Sequence, residues 1–190
     1  MRVATDRDDK RLAAPGELEI VRDFVNTLDV LPGTEKLEEA ADLARWLVER
    51  RLVPAGTVLG EEDLARTRRL REALRAMLLA NADFPFPEYA AEAFDAAAAG
   101  ARLRAEAGEA GRVKLLPAEA DGLDHAVGRM LSIVFAAQQD GNWSRLKACA
   151  ECHWALYDRT KNRSAAWCGS QCGSRVRTRR HRRRRREEPE

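Results

Sequence analysis

The chain has 190 residues, 45% of them hydrophobic with only 6% aromatic, which is material for one medium domain plus a small module and favours helices over a sheet-rich core. No apolar run approaches the ~18–20 residues a membrane span needs, and the charged start MRVATDRDDKRLAAPG lacks the apolar stretch of a secretory signal. These readings exclude a membrane protein and make a cytoplasmic one the expectation, with residues 1–16 a disordered lead.

The net charge of +2 conceals an asymmetry. Residues 143–190 carry 14 Lys+Arg against 5 Asp+Glu, while the remainder carries 19 against 26. An acidic body joined to a basic end suggests two jobs, and the basic end suits a polyanion.

The body, residues 17–142, reads as helical. Ile20, Phe24, Val25, Leu28 and Leu31 follow the spacing of one helix face, which predicts a helix stopping before Pro32-Gly33. Thr34 is placed to cap a second helix carrying Leu37, Ala40, Ala41, Ala44, Leu47 and Val48, and Pro54-Ala-Gly56 breaks it. A third helix starts near Glu61, with Leu64, Leu70, Leu74, Met77 and Leu78 inward. Phe84-Pro85-Phe86-Pro87 is a loop, and 88–99 an alanine-rich helix. Residues 101–105 and 112–116 alternate in polarity around two glycines and predict a hairpin. The helical period returns from Ala118 to Asp140, through Leu123, Ala126, Val127, Met130, Leu131, Val134 and Phe135. Gly141-Asn142 marks a module boundary.

All four cysteines lie within 24 residues, as Cys149-x2-Cys152, fifteen residues, then Cys168-x3-Cys172. Two such turns facing each other offer four sulfurs at tetrahedral corners, the arrangement of a closed structural zinc site. One structural Zn2+ is therefore expected, with Cys149, Cys152, Cys168 and Cys172 as ligands and with Arg145, Lys147 and Arg159 near enough to help hold the thiolates ionised. Four sulfurs suffice, so His153 is not needed as a ligand. Large apolar residues are few between Trp143 and Arg186, so the module, 143–186, should depend on the metal to fold. Residues 187–190 form an acidic tail. The fold class expected is mainly α, a helical domain with a small hairpin followed by a four-cysteine module made of a short hairpin and a basic helix.

Trp167-Cys168-x3-Cys172-Gly173-Ser174-Arg175, preceded by Cys149-x2-Cys152 and by Asp158-Arg-Thr-Lys-Asn162-Arg-Ser164, resembles the CGNR zinc-finger family. Here Ser174 stands where that family's name has Asn, keeping a hydrogen-bonding oxygen but losing a two-point amide contact to adenine. The body is similar to the domain usually paired with this finger, through Asp23-Phe-Val-Asn26-Thr-Leu28, Leu43-Ala-Arg-Trp46-Leu47 and Leu70-Arg-Glu-Ala-Leu74-Arg. The resemblance implies a stress-induced bacterial transcription regulator.

The basic end, GSRVRTRRHRRRRR, extends this expectation to double-stranded DNA, with the protein nucleoid-associated when bound. A helix started at Gly169-Ser170 sets Arg175, Arg179, Arg182 and Arg186 near one stripe and Arg180, Arg183 and Arg184 on adjacent faces. The candidate DNA contacts are Ser174, Arg175, Arg177, Thr178, Arg179, Arg180, Arg182 and Arg183, with base readout confined to the first four. The helix is expected to begin firmly at the metal and fray toward its end until phosphates neutralise it. The body would sense a small-molecule effector, form a homodimer, or both. Asn26 either hydrogen-bonds a ligand or satisfies a buried backbone group. Arg71 and Arg75, four apart on one helix, either clamp an anion or join a salt-bridged face with Glu72. No Gly-rich phosphate loop, nucleophile–base pair or catalytic metal motif is present in the sequence, so no enzyme is expected. The alternative reading is a zinc-stabilised protein-interaction module or a nonspecific DNA or RNA binder, with Trp154, Tyr157 and Trp167 as stacking surfaces.

Overall fold

A computed structural model describes residues 10–187. In chain order the elements are α1 (Leu18–Val25), β1 (Leu28–Asp29), β2 (Thr34–Glu35), α2 (Ala40–Glu49), α3 (Glu61–Ala80) and α4 (Glu88–Ala98). There follow β3 (Leu103–Ala107), β4 (Val113–Pro117), α5 (Gly122–Gln139), β5 (Leu146–Ala148), β6 (Ala155–Tyr157) and α6 (Ser170–Glu187). The three strand pairs are separate antiparallel hairpins, β1–β2, β3–β4 and β5–β6. The protein is mainly helical, as its alanine-rich composition suggests, and no helix among the described residues is long and apolar enough to cross a membrane.

The first helix is shorter than the apolar spacing predicts. It ends at Val25, and Leu28 and Leu31 pass into a hairpin that turns at Pro32-Gly33, with Gly33 at φ +70°. Thr34 pairs with Asp29 in that hairpin instead of capping a helix. The capping role falls to Asp42, whose carboxylate accepts the N–H groups of Glu38 and Glu39 at 3.1 and 3.0 Å. Asp63 serves α3 the same way, accepting the Gly60 N–H at 2.9 Å. The hairpin expected at 101–105 and 112–116 forms as β3–β4, two residues further on in its first strand. In α5 the residues Leu123, Ala126, Val127, Met130 and Val134 are buried, whereas Phe135 is exposed.

Helix α1 packs against both α3 and α5, and Phe24, Leu70, Leu74 and Met130 belong to the shared core. The same apolar cluster takes in Trp143, just before β5, and Leu146, Ala148, Ala155 and Tyr157 from the β5–β6 hairpin. The Gly141-Asn142 step therefore does not separate two cores. Of the lead at 1–16, residues 1–9 lie outside the described residues. Within 10–16 the chain is anchored at two points: Ala14 is buried and its N–H donates to Glu19 at 2.6 Å, and Leu12 lies against the cysteine cluster. Of the tail at 187–190, Glu187 closes α6 and the rest lies outside the described residues.

Candidate metal centre

Strand β5 delivers Cys149 at its end, and the chain doubles back over Ala150 and Glu151 to Cys152 before β6 begins. The turn is held by two backbone bonds, His153 N–H to Cys149 O and Cys149 N–H to Trp154 O, both 2.9 Å. His153 takes a left-handed φ of 59°, which lets two sulfurs three residues apart face one point. The second pair comes from the other end of the module. Cys168 precedes α6 and Cys172 sits in its first turn, where Trp167 lies against Gly173. The Ala150 N–H donates to Ala166 O at 3.1 Å and ties the two halves together.

The four Sγ atoms all lie within 4.8 Å of one another. Cys152 and Cys168 sulfurs are 3.4 Å apart, Cys168 and Cys172 sulfurs 3.7 Å. Zinc–sulfur bonds of ~2.3 Å at tetrahedral angles require sulfur–sulfur edges of about 3.8 Å. All four cysteines are free of disulfides, and Cys149, Cys152 and Cys172 are buried. The donor set is thus positioned to bind one zinc ion, with no corner left for substrate.

Electrostatics point the same way. Thiol hydrogen bonds from Cys152 and Cys168 drive Cys149 toward the thiolate. That anion then raises its neighbours: Cys152, hydrogen-bonded to it, is pushed up to about 12. Cys168 is raised by the same contacts and Cys172 chiefly by burial. Four sulfurs this close hold one negative charge comfortably and resist more, which a divalent cation relieves.

The cations expected to stabilise the thiolates do other work. Lys147 pairs with the buried Asp158 at 3.0 Å and also donates to the Arg163 carbonyl. Arg145 donates to the carbonyls of Asp158 and Thr160 at 3.0 and 2.9 Å, and Arg159 to Ala13 O at 2.9 Å. Asp158 is the hub of this loop. Burial works against its carboxylate, yet bonds from the Thr160 hydroxyl and amide, Lys147 and the Ala165 amide hold it below the usual range. The Asp158–Ser164 stretch singled out in the sequence is therefore a folded loop that carries the chain from β6 to the second cysteine pair. Asp158 was not among the expected site residues; its signal was the Asp-x-Thr spacing of a side-chain-closed turn.

Three further side chains join the centre to the body. Both ends of the Asn26 amide bond the backbone of Ala155, the first residue of β6. Asn81 donates to Trp143 O and Leu146 O, each at 2.8 Å. Arg75 donates to His153 O at 2.9 Å and to Val25 O at 2.7 Å, while its Nε meets Glu72 at 2.9 Å. Arg71 bonds Glu35, Glu72 and Thr27 at 2.7, 2.8 and 3.1 Å. Of the alternatives for Asn26, Arg71 and Arg75, the geometry matches the internal ones: a satisfied backbone and a salt-bridged face. Both arginines of that face are buried, each 3% exposed, with Glu72 at its surface edge. Asn26 and Arg75 lie near the metal turn, Arg71 farther up α3 against β2.

Helix α6 leaves the centre with Cys172 and Gly173 buried and Val176 half-buried. Ser174, Arg175, Arg177, Thr178, Arg179 and Arg182 are all exposed; the side chains of Arg180 and Arg183 lie outside those described. At 100° per residue, Ser174, Thr178, His181 and Arg185 form the outward stripe, with Arg175 and Arg182 on one flank and Arg177 on the other. Arg179 turns back toward the metal turn and pairs with Glu151 at 2.7 Å. Trp154 and Tyr157 are buried and Trp167 half-buried, so these aromatics build the module's interior.

A family model named ABATE, described as "putative stress-induced transcription regulator", matches residues 18–156. A second, the CGNR zinc finger, matches residues 145–185. The two overlap on the β5–β6 hairpin, which belongs structurally to both the helical core and the cysteine cluster. No curated protein matches the chain.

Proposed function

Because this chain belongs to the ABATE family, described as "putative stress-induced transcription regulator", and carries a CGNR zinc finger at residues 145–185, we propose that it is a zinc-dependent regulator that grips double-stranded DNA through α6. The observation that carries the reading is the seating of that helix. Its first turn holds the zinc ligand Cys172, and from there it presents Ser174, Thr178, His181 and Arg185 outward between flanks of arginine. A helix of 18 residues is about 27 Å long, enough to lie in a major groove about 12 Å wide with its flanks toward the phosphates. The metal end, being fixed, supplies the positions from which bases can be read; the arginines supply charge, which positions without specifying.

The helical body acts in this reading as the sensing and dimerising half. A two-fold protein would read paired half-sites. No reaction is assigned to it.

Selection from a random-duplex pool, using zinc-loaded protein at physiological salt, tests the reading. An enriched motif that disappears on chelation is the expected result, and a palindrome within it fixes the dimer. Binding without enrichment, unchanged by chelation, would leave only phosphate attraction by the arginines and sink the sequence-reading role.

A further inference from the structure

Between α3 and α4 lies a cavity of about 480 Å3 that closes against the metal turn. Its apolar lining is Leu79 with Ala73, Ala76, Ala90 and Ala93, and the short alanine side chains leave room between two packed helices. Its rim is polar and cationic. Arg68 is held by Glu35 and by the carbonyls of Leu37 and Glu38, Arg75 by Glu72 and by the carbonyls of His153 and Val25, and Glu72 by Arg71 and Arg75, which leaves Arg69 as the surplus cation of the lining. Among the described residues, the side chains of Arg69, Tyr89 and His153 have no hydrogen-bond or ion-pair partner.

We propose that this cavity is an effector site for a small apolar carboxylate. Small-molecule sites run to about 300–1,000 Å3, mostly apolar with a few convergent polar groups, and this one has that size and that lining. The one surplus guanidinium, Arg69, selects an anion. Arg69, exposed and unpaired, is the group placed to meet a carboxylate at the mouth, and Tyr89, 72% exposed at the start of α4, can fold over an aromatic or aliphatic body.

The wall on the metal side gives the site its consequence. His153 follows the ligand Cys152, and its carbonyl is held by Arg75, another lining residue. A ligand touching His153 and Arg75 therefore presses on the backbone that sets the first cysteine pair, from which α6 is hung. This deepens the sensing half of the function proposed above and rests on it only for the sense of the word effector.

The test uses the full zinc-loaded chain without DNA, so its failure is separate from any failure of DNA binding. Amide spectra of 15N-labelled protein are followed while 2-naphthoate is added, with neutral 2-naphthamide as the matched probe. Saturable shifts at Ala73, Ala90 and His153 are expected with naphthoate, with at least tenfold weaker affinity for the amide. Arg69→Gln, a surface change, should weaken naphthoate about tenfold without altering the amide's affinity, and Ala93→Phe should block both by filling the mouth. Absence of saturable shifts, equal affinity for acid and amide, or shifts that spare His153 would each overturn the proposal.

Discussion

The side-chain amide of Asn26 pairs with the backbone of Ala155 as a neighbouring strand would: Nδ2 donates to Ala155 O at 3.0 Å, and Oδ1 accepts the Ala155 N–H at 2.7 Å. The two residues are 129 apart in sequence, and Asn26 is 4% exposed. The end of α1 thereby supplies a donor and an acceptor to the backbone of Ala155 at the start of β6, in a hairpin whose six strand residues are all buried.

Asn26→Ala should accordingly cost about 2–4 kcal/mol, because it strands a buried donor and a buried acceptor at once. The melting midpoint should fall by roughly 5–15 °C for a chain of this size. The decisive observation is a thermal melt of zinc-loaded protein. A midpoint within error of the parent would mean that water replaces the amide at no cost and that the clamp is incidental.

Metal removal should divide the finger rather than unfold all of it. The β5–β6 hairpin places Leu146, Ala148, Ala155 and Tyr157 in the body's apolar cluster, whereas the loop from Asp158 onward and α6 place their apolar side chains in the cysteine cluster. Hydrogen exchange after chelation should show lost protection in residues 158–187 and retained protection at Leu146, Ala148, Ala155 and Tyr157. Loss across both regions would show that the hairpin also needs zinc, as a module without its own core would. In the same experiment Cys172→Ser should lower bound zinc from one per chain and reproduce the chelated pattern.

The Glu35–Arg71 pair gives the body a pH signature. Burial opposes the Glu35 carboxylate, but the Arg71 guanidinium at 2.7 Å and the Leu37 amide at 3.0 Å prevail and hold it below its ordinary value of 4.5. A depressed carboxylate contributes stability that is complete above the unfolded value and is lost as pH falls through the folded one. Glu35→Gln should thus be destabilised by about 2 kcal/mol at pH 7, and the gap to the parent should narrow below about pH 4.5. Because zinc release in acid is common to both proteins, the difference in urea midpoints isolates the pair. A gap that stays constant from pH 7 to 3.5 would remove Glu35 from the account.

Local chemistry was legible in the sequence where one residue type has one good use. Four clustered cysteines at these spacings point to a closed metal site, and α3 and α5 announce themselves by long apolar periods. The first helix stops at Val25 although Leu28 and Leu31 continue the same 3-4 spacing, and no local signal in the apolar pattern marks their turn into a hairpin. What remained hidden was long-range. Asn26 looks alike whether it meets a ligand or Ala155, and Arg75 looks like a surface cation until the metal turn is laid on it. Such roles depend on partners 78 to 129 residues away, which periodicity cannot supply.

The two kinds of contact expected of α6 separate by salt. If about 4–6 arginines neutralise phosphates, log K should fall with log salt at a slope of about −4 to −5. Arg175→Gln and Arg182→Gln, both exposed flank positions, should each flatten that slope by about 0.9 while weakening all sequences alike. Ser174→Ala and Thr178→Ala lie on the outward stripe and carry no charge, so they should leave the slope unchanged and shift the preferred sequence instead. Arg179→Gln makes the sharper comparison, because its partner Glu151 lies 2.7 Å away beside the metal turn. If that pair persists on DNA, the slope is unmoved. If the arginine leaves Glu151 for a phosphate, the slope flattens like the flank variants and Glu151→Gln strengthens binding. Fluorescence anisotropy across 50–300 mM salt measures all of these, and a common slope for every variant would place the grip outside α6.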